Sequence, residues 1–211
     1  EAGRHVPSVD QPIGQTRILA LELPLVSGGD PNKSALAVFA AGTEAGWKRA
    51  ALSLSTDDQW SDIGTTALPA VIGNTQNAMG AHHPFLLDEA SFLDIELLHA
   101  AMSLESCDTS PLAVDAPIFW IDGEFVRVGR IVALGGKSYR LSRFSRGVAA
   151  SAMRAPAHAA GAQIVLIDAS ATLIISENMY QVGQSVTLEA QGLSDATPVT
   201  TVIVAEGLAI T

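Results

Sequence analysis

Histidine and cysteine residues are the first candidates for chemistry in this sequence, because they can bind metal ions. His82 and His83 are the only adjacent histidines. Neighbouring side chains on a strand point to opposite faces, so both rings binding one metal ion would be awkward, and Pro84 favours a loop here. Cys107 is the single cysteine, and no zinc-ligand spacing is present. We therefore expect no metal site and no cofactor.

Two serine-containing tripeptides resemble parts of catalytic motifs. Gly136-Lys137-Ser138 matches the end of a phosphate-binding loop, but Ile131 stands where that motif has its first glycine, and a strand pattern follows. Gly183-Gln184-Ser185 lacks the second glycine of a nucleophile elbow and also precedes a strand pattern. Both tripeptides are typical of turns, and no spacing of Ser, His and Asp selects a triad. The sequence therefore predicts a protein that is not an enzyme.

Trp60 is the aromatic residue best placed to contact a ligand from solvent. It follows a polar turn at residues 55–59, whereas Trp47 and Trp120 lie within apolar runs and are expected to anchor a core or an interface. Exposed aromatic residues bind sugars, which suggests a carbohydrate-binding β-sandwich adhesin as an alternative function. Its glycan site would contain Trp60, Asp57, Asp58, His82 and His83.

The charges are unevenly distributed along the 211 residues. The chain has 12 Lys and Arg against 22 Asp and Glu, a formal net charge of -10, so nucleic acid would repel it. Residues 50–126 contain no Lys or Arg, and residues 125–166 contain no Asp or Glu. Opposed acidic and basic faces would favour contact between copies or docking onto a partner, although a solvated surface is the simpler alternative. The candidate interface residues are Arg127, Arg130, Arg140, Arg143, Arg146, Asp57, Asp58 and Asp62.

Strands are the elements expected to position these residues. Short apolar runs, several with period-two alternation, are bounded by Gly, Pro, Asn or Asp. They predict a mainly all-β fold of antiparallel strands and hairpins, with one or two short helices, at residues 95–103 and near 148–160. Asp122-Gly123 and Gly135-Gly136 are typical of tight hairpin turns, so residues 117–144 should form a three-stranded meander. Further ribbons are expected at 163–175 and 185–205.

The chain divides on composition into a linker and two small β modules. Residues 1–16 mix Pro, Gly and polar residues and read as a linker within a longer polypeptide. A turn-rich stretch at 107–117 suggests modules at 17–105 and 106–211. With 48% apolar residues the chain can bury a sizeable core, and no apolar run is long enough for a membrane span.

Several segments resemble one protein family. Residues 139–147 (YRLSRFSRG), followed by 158–168 (HAAGAQIVLID), resemble the C-terminal part of baseplate hub, or tail tip, proteins of siphophage-like tails and gene transfer agents. Residues 19–25 (LALELPL) and 46–55 (GWKRAALSLS) resemble upstream segments of that family in the same order. Arg140, Arg146 and Gly147 match the family pattern, whereas its second Arg-Gly is missing here.

The resemblance implies a structural role without turnover. The chain would lie at the distal end of the tail in the virion, where a threefold hub closes the tube and carries fibres. Its expected partners are other copies of itself, as a trimer, with the distal tail protein and a fibre, and a host surface glycan is possible. A tail-associated cell-wall hydrolase is a second alternative, which would need a carboxylate pair or a metal in a cleft.

Overall fold

The computed structural model describes residues 11–24, 34–66, 68–148 and 155–206. Within them the chain forms fourteen strands and two short 3-10 turns, Ala169–Ala171 and Glu177–Met179, and no helix there is long and apolar enough to cross a membrane. The all-β prediction is confirmed. The strands are β1 Thr16–Pro24, β2 Ser34–Gly42, β3 Ala50–Thr56, β4 Gln59–Thr65, β5 Ile72–Thr75, β6 Leu87–Leu97, β7 Cys107–Asp108, β8 Ile118–Ile121, β9 Glu124–Gly135, β10 Ser138–Ser145, β11 Gln163–Leu166, β12 Thr172–Ile174, β13 Ser185–Gly192 and β14 Val199–Val204.

Six strands close into an antiparallel barrel. They pair in the order β10-β6-β5-β11-β8-β9, and β9 pairs back with β10 to complete the ring. Strand β7 adds to β9 from outside, where Cys107 lies opposite Ile131. Closure leaves no free edge among these six strands, which removes the unpaired backbone groups that an open sheet would expose.

Two smaller sheets pack beside the barrel. One has the order β1-β2-β12, and the other, which we call the outer sheet, has the order β14-β13-β3-β4. Strand β2 separates two apolar clusters because alternate residues point to opposite faces. Ala37, Phe39 and Ala41 join the cluster that contains the barrel residues, whereas Leu36, Val38 and Ala40 pack with the outer sheet. This strand is therefore buried on both faces.

The predicted hairpins 117–144 and 185–205 are confirmed. Asp122 and Gly123 both have positive φ values, 40° and 94°, and join β8 to β9. Gly135 and Gly136, at 109° and 60°, join β9 to β10, so the three strands form the expected meander. The second ribbon is β13 paired with β14.

The predicted helix at 95–103 is wrong. Ile95 and Leu97 end β6, where they alternate into the barrel core with Leu93, and this packing overrides any helical tendency. Of the second predicted helix, residues 149–154 lie outside the described residues. After them, Ala155 and His158 form antiparallel bridges with His82 and Met79.

The predicted ribbon 163–175 is also wrong, because its two strands belong to different sheets. Strand β11 pairs with β5 and β8 in the barrel, whereas β12 pairs with β2. The chain changes direction at the 3-10 turn between them, whose first turn is capped by the Asp168 carboxylate accepting from the Ser170 amide.

The division expected near residue 105 does not coincide with either core. The barrel combines β5 and β6, which precede residue 105, with β8 to β11, which follow it. The outer sheet likewise pairs β3 with β13. Long-range strand pairing thus joins the two predicted modules. Of the expected linker, residues 1–10 lie outside the described residues, and β1 begins at Thr16.

Replacing Gly42 with alanine should destabilise the fold by about 1–3 kcal/mol through overpacking. A Cβ atom there would meet the buried Trp47 side chain, whose indole Nε1 donates to Thr16 Oγ1 at 2.9 Å. Gly80→Ala is the matched control, because nothing lies within 4 Å of its added Cβ and its φ is not positive. Urea denaturation would measure both. Equal midpoints for the two variants would contradict the proposed contact.

Candidate functional site

A cluster of four buried ionisable residues lies at one end of the barrel. Its members, which we call the buried charge cluster, are Asp88, Glu124, Arg146 and His158, and each side chain is at most 1% exposed. Glu124 begins β9 directly after the Asp122-Gly123 turn, and Arg146 follows the last residue of β10. The barrel pairing therefore brings together residues that are far apart in sequence.

The Glu124 carboxylate is the centre of this cluster. Arg146 donates to it twice, from Nε to Oε1 at 2.8 Å and from Nη2 to Oε2 at 2.7 Å. The Gly147 amide donates to Oε1 at 2.8 Å, and His158 Nε2 lies 2.7 Å from Oε2. Both carboxylate oxygens are thus shared by two partners, which compensates the cost of burying the charge.

Arg146 also ties three chain segments together. Its Nη1 donates to the Gly80 carbonyl at 3.0 Å, and its Nη2 donates to the Pro156 carbonyl. Nη1 lies 3.9 Å from Asp88 Oδ2, a buried oxygen that has no hydrogen-bond partner among the described residues. One guanidinium thus binds the segments around residues 80, 124 and 156. Removing it would break its contacts with all three.

The surroundings lower the pKa of both carboxylates in the cluster. Burial alone would raise the pKa of Glu124, but the hydrogen bonds from His158 and Arg146 outweigh that effect. For Asp88, burial would likewise raise the pKa, but the hydrogen bonds from Ser91 outweigh that effect. In the described part of the chain, no three His, Cys, Asp or Glu side chains form a group that could hold a metal ion. The cluster is a network of hydrogen bonds and ion pairs that links the segments around it.

A β-bulge explains why Arg146 points inward. Arg143 has a φ of 60°, and the pairing of β10 with β6 shifts register between Ser142 and Phe144. Leu141 and Phe144 are both buried although three positions separate them, so the alternation changes phase at the bulge. Without it, Arg146 would share the solvent-facing side with Arg140.

The assignment of Arg146 to an interface is therefore wrong, because its side chain is fully buried. The segments that carry the family resemblance instead meet inside the molecule: Arg146, Gly147 and His158 all contact Glu124. Sequence reasoning missed Glu124 and Asp88 as members of this site. The available signal was that Glu124 is the last acid before the acid-free stretch 125–166.

The acidic and basic stretches of the sequence pair with each other on the barrel wall. Arg140 lies directly opposite Asp94 in the β6–β10 ladder and donates to both of its oxygens, at 2.7 and 2.8 Å. Lys137 lies 2.7 Å from Glu96 in the same ladder. Antiparallel pairing therefore neutralises these charges locally.

The remaining basic candidates also find partners within the chain. Arg143 contacts Asp108 at 2.6 Å and Glu89 at 3.5 Å, and Arg130 lies 3.8 Å from Asp108. Arg127 donates to the Ala113 carbonyl at 3.0 Å. Arg130 and Arg143 therefore form ion pairs within the chain, as Arg140 does, and the part of these residues in an interface stays a prediction.

The remaining acidic candidates lie on the outer sheet with Trp60. Asp57 and Asp58 form the β3–β4 turn with φ values of 51° and 60°, and Gln184 donates to Asp57 Oδ2 at 3.1 Å. Asp62 accepts from the Gly64 amide at 2.8 Å. Trp60 is 51% exposed. This part of the hypothesised glycan site is one contiguous surface.

The two histidines of the hypothesised glycan site lie elsewhere. His82 pairs with Ala155 beside the barrel, and the His83 ring contacts the ring of Phe85 with centroids 5.7 Å apart. No contact among the described residues joins either histidine to Trp60. The structure therefore does not bring together the full set expected from the sequence.

Comparison with known protein families identifies a partial match. A protein-family model described as "Rcc01698-like, C-terminal" matches residues 70–165, which is less than half of the chain. The matched segment begins just before β5 and ends within β11, so it corresponds to the barrel and includes the buried charge cluster. The match fits a gene transfer agent protein. No curated protein matches the chain.

Proposed function

We propose that this chain is a structural component of the tail tip of a gene transfer agent or phage-like particle, within the baseplate hub. The supporting observation is that the family match coincides with the closed barrel. The sequence resemblance to hub proteins extends N-terminal to this segment, into β1 and β3. In this role the chain connects the tube to fibres or receptor-binding parts.

The barrel has properties that suit an assembly part. Its ladder closes on itself, and the buried charge cluster fixes the segments at one end through directional hydrogen bonds. The hydrogen bonds around Glu124 and Arg146 are directional and lie in a low-dielectric interior, so they favour one arrangement of the surrounding segments. Such a module holds its loops in defined positions for neighbouring proteins.

Apolar side chains on two loops are the contact surfaces that we assign to neighbours. Phe85 and Leu86 are 78% and 61% exposed between Met79 and β6, and Leu112 and Val114 are 63% and 94% exposed between β7 and β8. Exposed large apolar groups mark protein–protein contacts when they cluster. The partners proposed are other copies of the chain in a trimer, the distal tail protein and a fibre.

Immunogold electron microscopy of purified particles tests the proposed location. An epitope tag on the full gene product should place gold at the tail end distal to the capsid. Phe85→Ser combined with Leu86→Ser should reduce incorporation into particles, whereas Gly80→Ala should leave it unchanged. Label on the capsid, or particles with normal tails that lack the chain, would exclude the role.

A further inference from the structure

The solvent-facing side of the outer sheet has an ordered composition that the proposed tail-tip role does not explain. Directly paired residues of an antiparallel ladder share a face. One row across the four strands consists of Trp60, Ser55, Thr187 and Val202, and the next consists of Asp62, Ser53, Glu189 and Thr200. We call these eight residues the Trp60 face.

The inner side of the same sheet confirms this orientation. Leu52, Leu54 and Leu188 are buried in the second apolar cluster, and Ile63 packs against it. Since side chains alternate along each strand, the residues next to them point to solvent. The Trp60 side chain therefore lies next to small residues of β3. Of these, Ser55 and Ser53 lie between Trp60 and β13.

The polar groups of this face are available to a ligand. Glu189 is half-buried and makes no hydrogen bond or ion pair within the described residues, while Asp62 uses Oδ1 for the Gly64 amide. Thr187 and Thr200 add hydroxyl groups on the two neighbouring strands. Trp60 thus has one carboxylate on its own strand and another two strands away, at roughly 10 Å, with hydroxyl groups between them. This arrangement is suited to an extended ligand with apolar faces and many hydroxyl groups.

The charge of the outer sheet excludes anionic ligands. The four strands of the outer sheet contain no Lys or Arg, and their β3–β4 turn adds Asp57 and Asp58. An acidic polysaccharide would be repelled, and an anionic lipid or nucleic acid would be too. A neutral saccharide stacks on the indole without this repulsion, and its hydroxyl groups donate hydrogen bonds to the carboxylates.

From this arrangement we infer that the Trp60 face binds a neutral oligosaccharide. The indole of Trp60 packs against the C–H face of one pyranose ring, and Asp62 accepts hydrogen bonds from hydroxyl groups near that ring. Glu189, two strands away on β13, accepts hydrogen bonds from a further sugar unit of the oligosaccharide. The site differs from the one hypothesised from the sequence, because it excludes His82 and His83 and gains residues of β13. It does not depend on the tail-tip role, since any protein with this face would bind in the same way.

Isothermal titration calorimetry of the full chain with neutral hexasaccharides of glucose, mannose, galactose and N-acetylglucosamine tests the inference. We expect saturable binding to at least one of them and none to a hexamer of galacturonic acid. Trp60→Ala should weaken that binding by at least about tenfold, the loss expected from about 1.4 kcal/mol of stacking. Glu189→Gln should weaken it less.

Phe85→Ala is the matched control, because Phe85 is an exposed aromatic residue outside the Trp60 face. Its affinity should equal that of the unmodified chain, and thermal melts should show that all variants remain folded. Binding to none of the neutral hexasaccharides at millimolar concentration would overturn the inference. Equal affinity of Trp60→Ala and the unmodified chain would also overturn it, whatever the location of the chain in particles.

Discussion

Replacing Arg146 with methionine should lower the free energy of unfolding by about 3–5 kcal/mol, the usual cost of removing one partner from a buried ion pair. The loss has a specific origin. Glu124 would remain buried without its two guanidinium hydrogen bonds, and the Gly80 and Pro156 carbonyls would lose their donor. Urea denaturation followed by tryptophan fluorescence would measure the change.

Arg140→Met provides the matched control for this variant. Arg140 also binds a carboxylate through both Nε and Nη2, but its side chain is 45% exposed on the barrel wall. An exposed pair contributes about 0.2–1 kcal/mol, so this change should have a small effect. Equal losses for the two variants would contradict the distinction between the buried and the exposed pair.

Arg146→Lys keeps the experiment informative if the methionine variant does not fold. Lysine retains the positive charge but lacks the planar fork that reaches both carboxylate oxygens and two carbonyls. We expect a stability between those of the unmodified chain and the methionine variant. A lysine variant as stable as the unmodified chain would show that charge alone, without the hydrogen-bond geometry, holds the cluster.

Acid should destabilise the protein through Glu124. Its pKa is lower in the folded chain than its ordinary value of 4.5, because the hydrogen bonds from His158 and Arg146 outweigh the effect of burial. A group with a lowered folded pKa contributes stability above its unfolded pKa and loses it as the pH falls toward the folded value. Stability should therefore decline as the pH drops below about 4.5, and Asp88, ordinarily near 3.8, should act in the same direction.

Glu124→Gln isolates this contribution. At neutral pH the variant should lose about 3–5 kcal/mol, because a neutral amide cannot compensate the buried guanidinium and directs its own donors toward it. Its stability should then fall less steeply with acid than that of the unmodified chain, while Asp88 retains its part. Unfolding free energies measured by urea from neutral pH to about pH 3 would give both slopes.

Asp58→Asn is the control for the acid profile. Asp58 is exposed in the β3–β4 turn, and asparagine tolerates its left-handed conformation. Its profile should run parallel to that of the unmodified chain. A Glu124→Gln profile parallel to the unmodified one would show that the acid sensitivity arises elsewhere.

Local signals in the sequence determined the strands and the tight turns. Asp122-Gly123 and Gly135-Gly136 adopt the positive φ values that their residue types favour, and the meander between 117 and 144 follows directly. Short apolar runs bounded by turn residues likewise predicted the strands that became β1 and β8. These features depend on residues close together in the chain, so their chemistry can be read without knowledge of the fold.

The blocks of like charge in the sequence predicted that these residues contact opposite charges, but not which partners they contact. The acids of β6 and the bases of β10 face each other only because the two strands are antiparallel neighbours in one register, Arg140 opposite Asp94. A shift by one residue would have separated them. The composition therefore predicted contact between opposite charges, whereas the tertiary structure decided that the contact is intramolecular.

Only the tertiary structure decided that the barrel closes and that Arg146 is buried. Strand β5 pairs with β11 across some ninety residues, as Gly73 lies opposite Ile164, and no local pattern encodes such a pairing. Arg140 and Arg146 are the same residue type six positions apart, yet the bulge at Arg143 sends one to solvent and the other into the core. Which side chains of a strand face the core after a bulge depends on the neighbouring strands, and those strands come from distant parts of the chain.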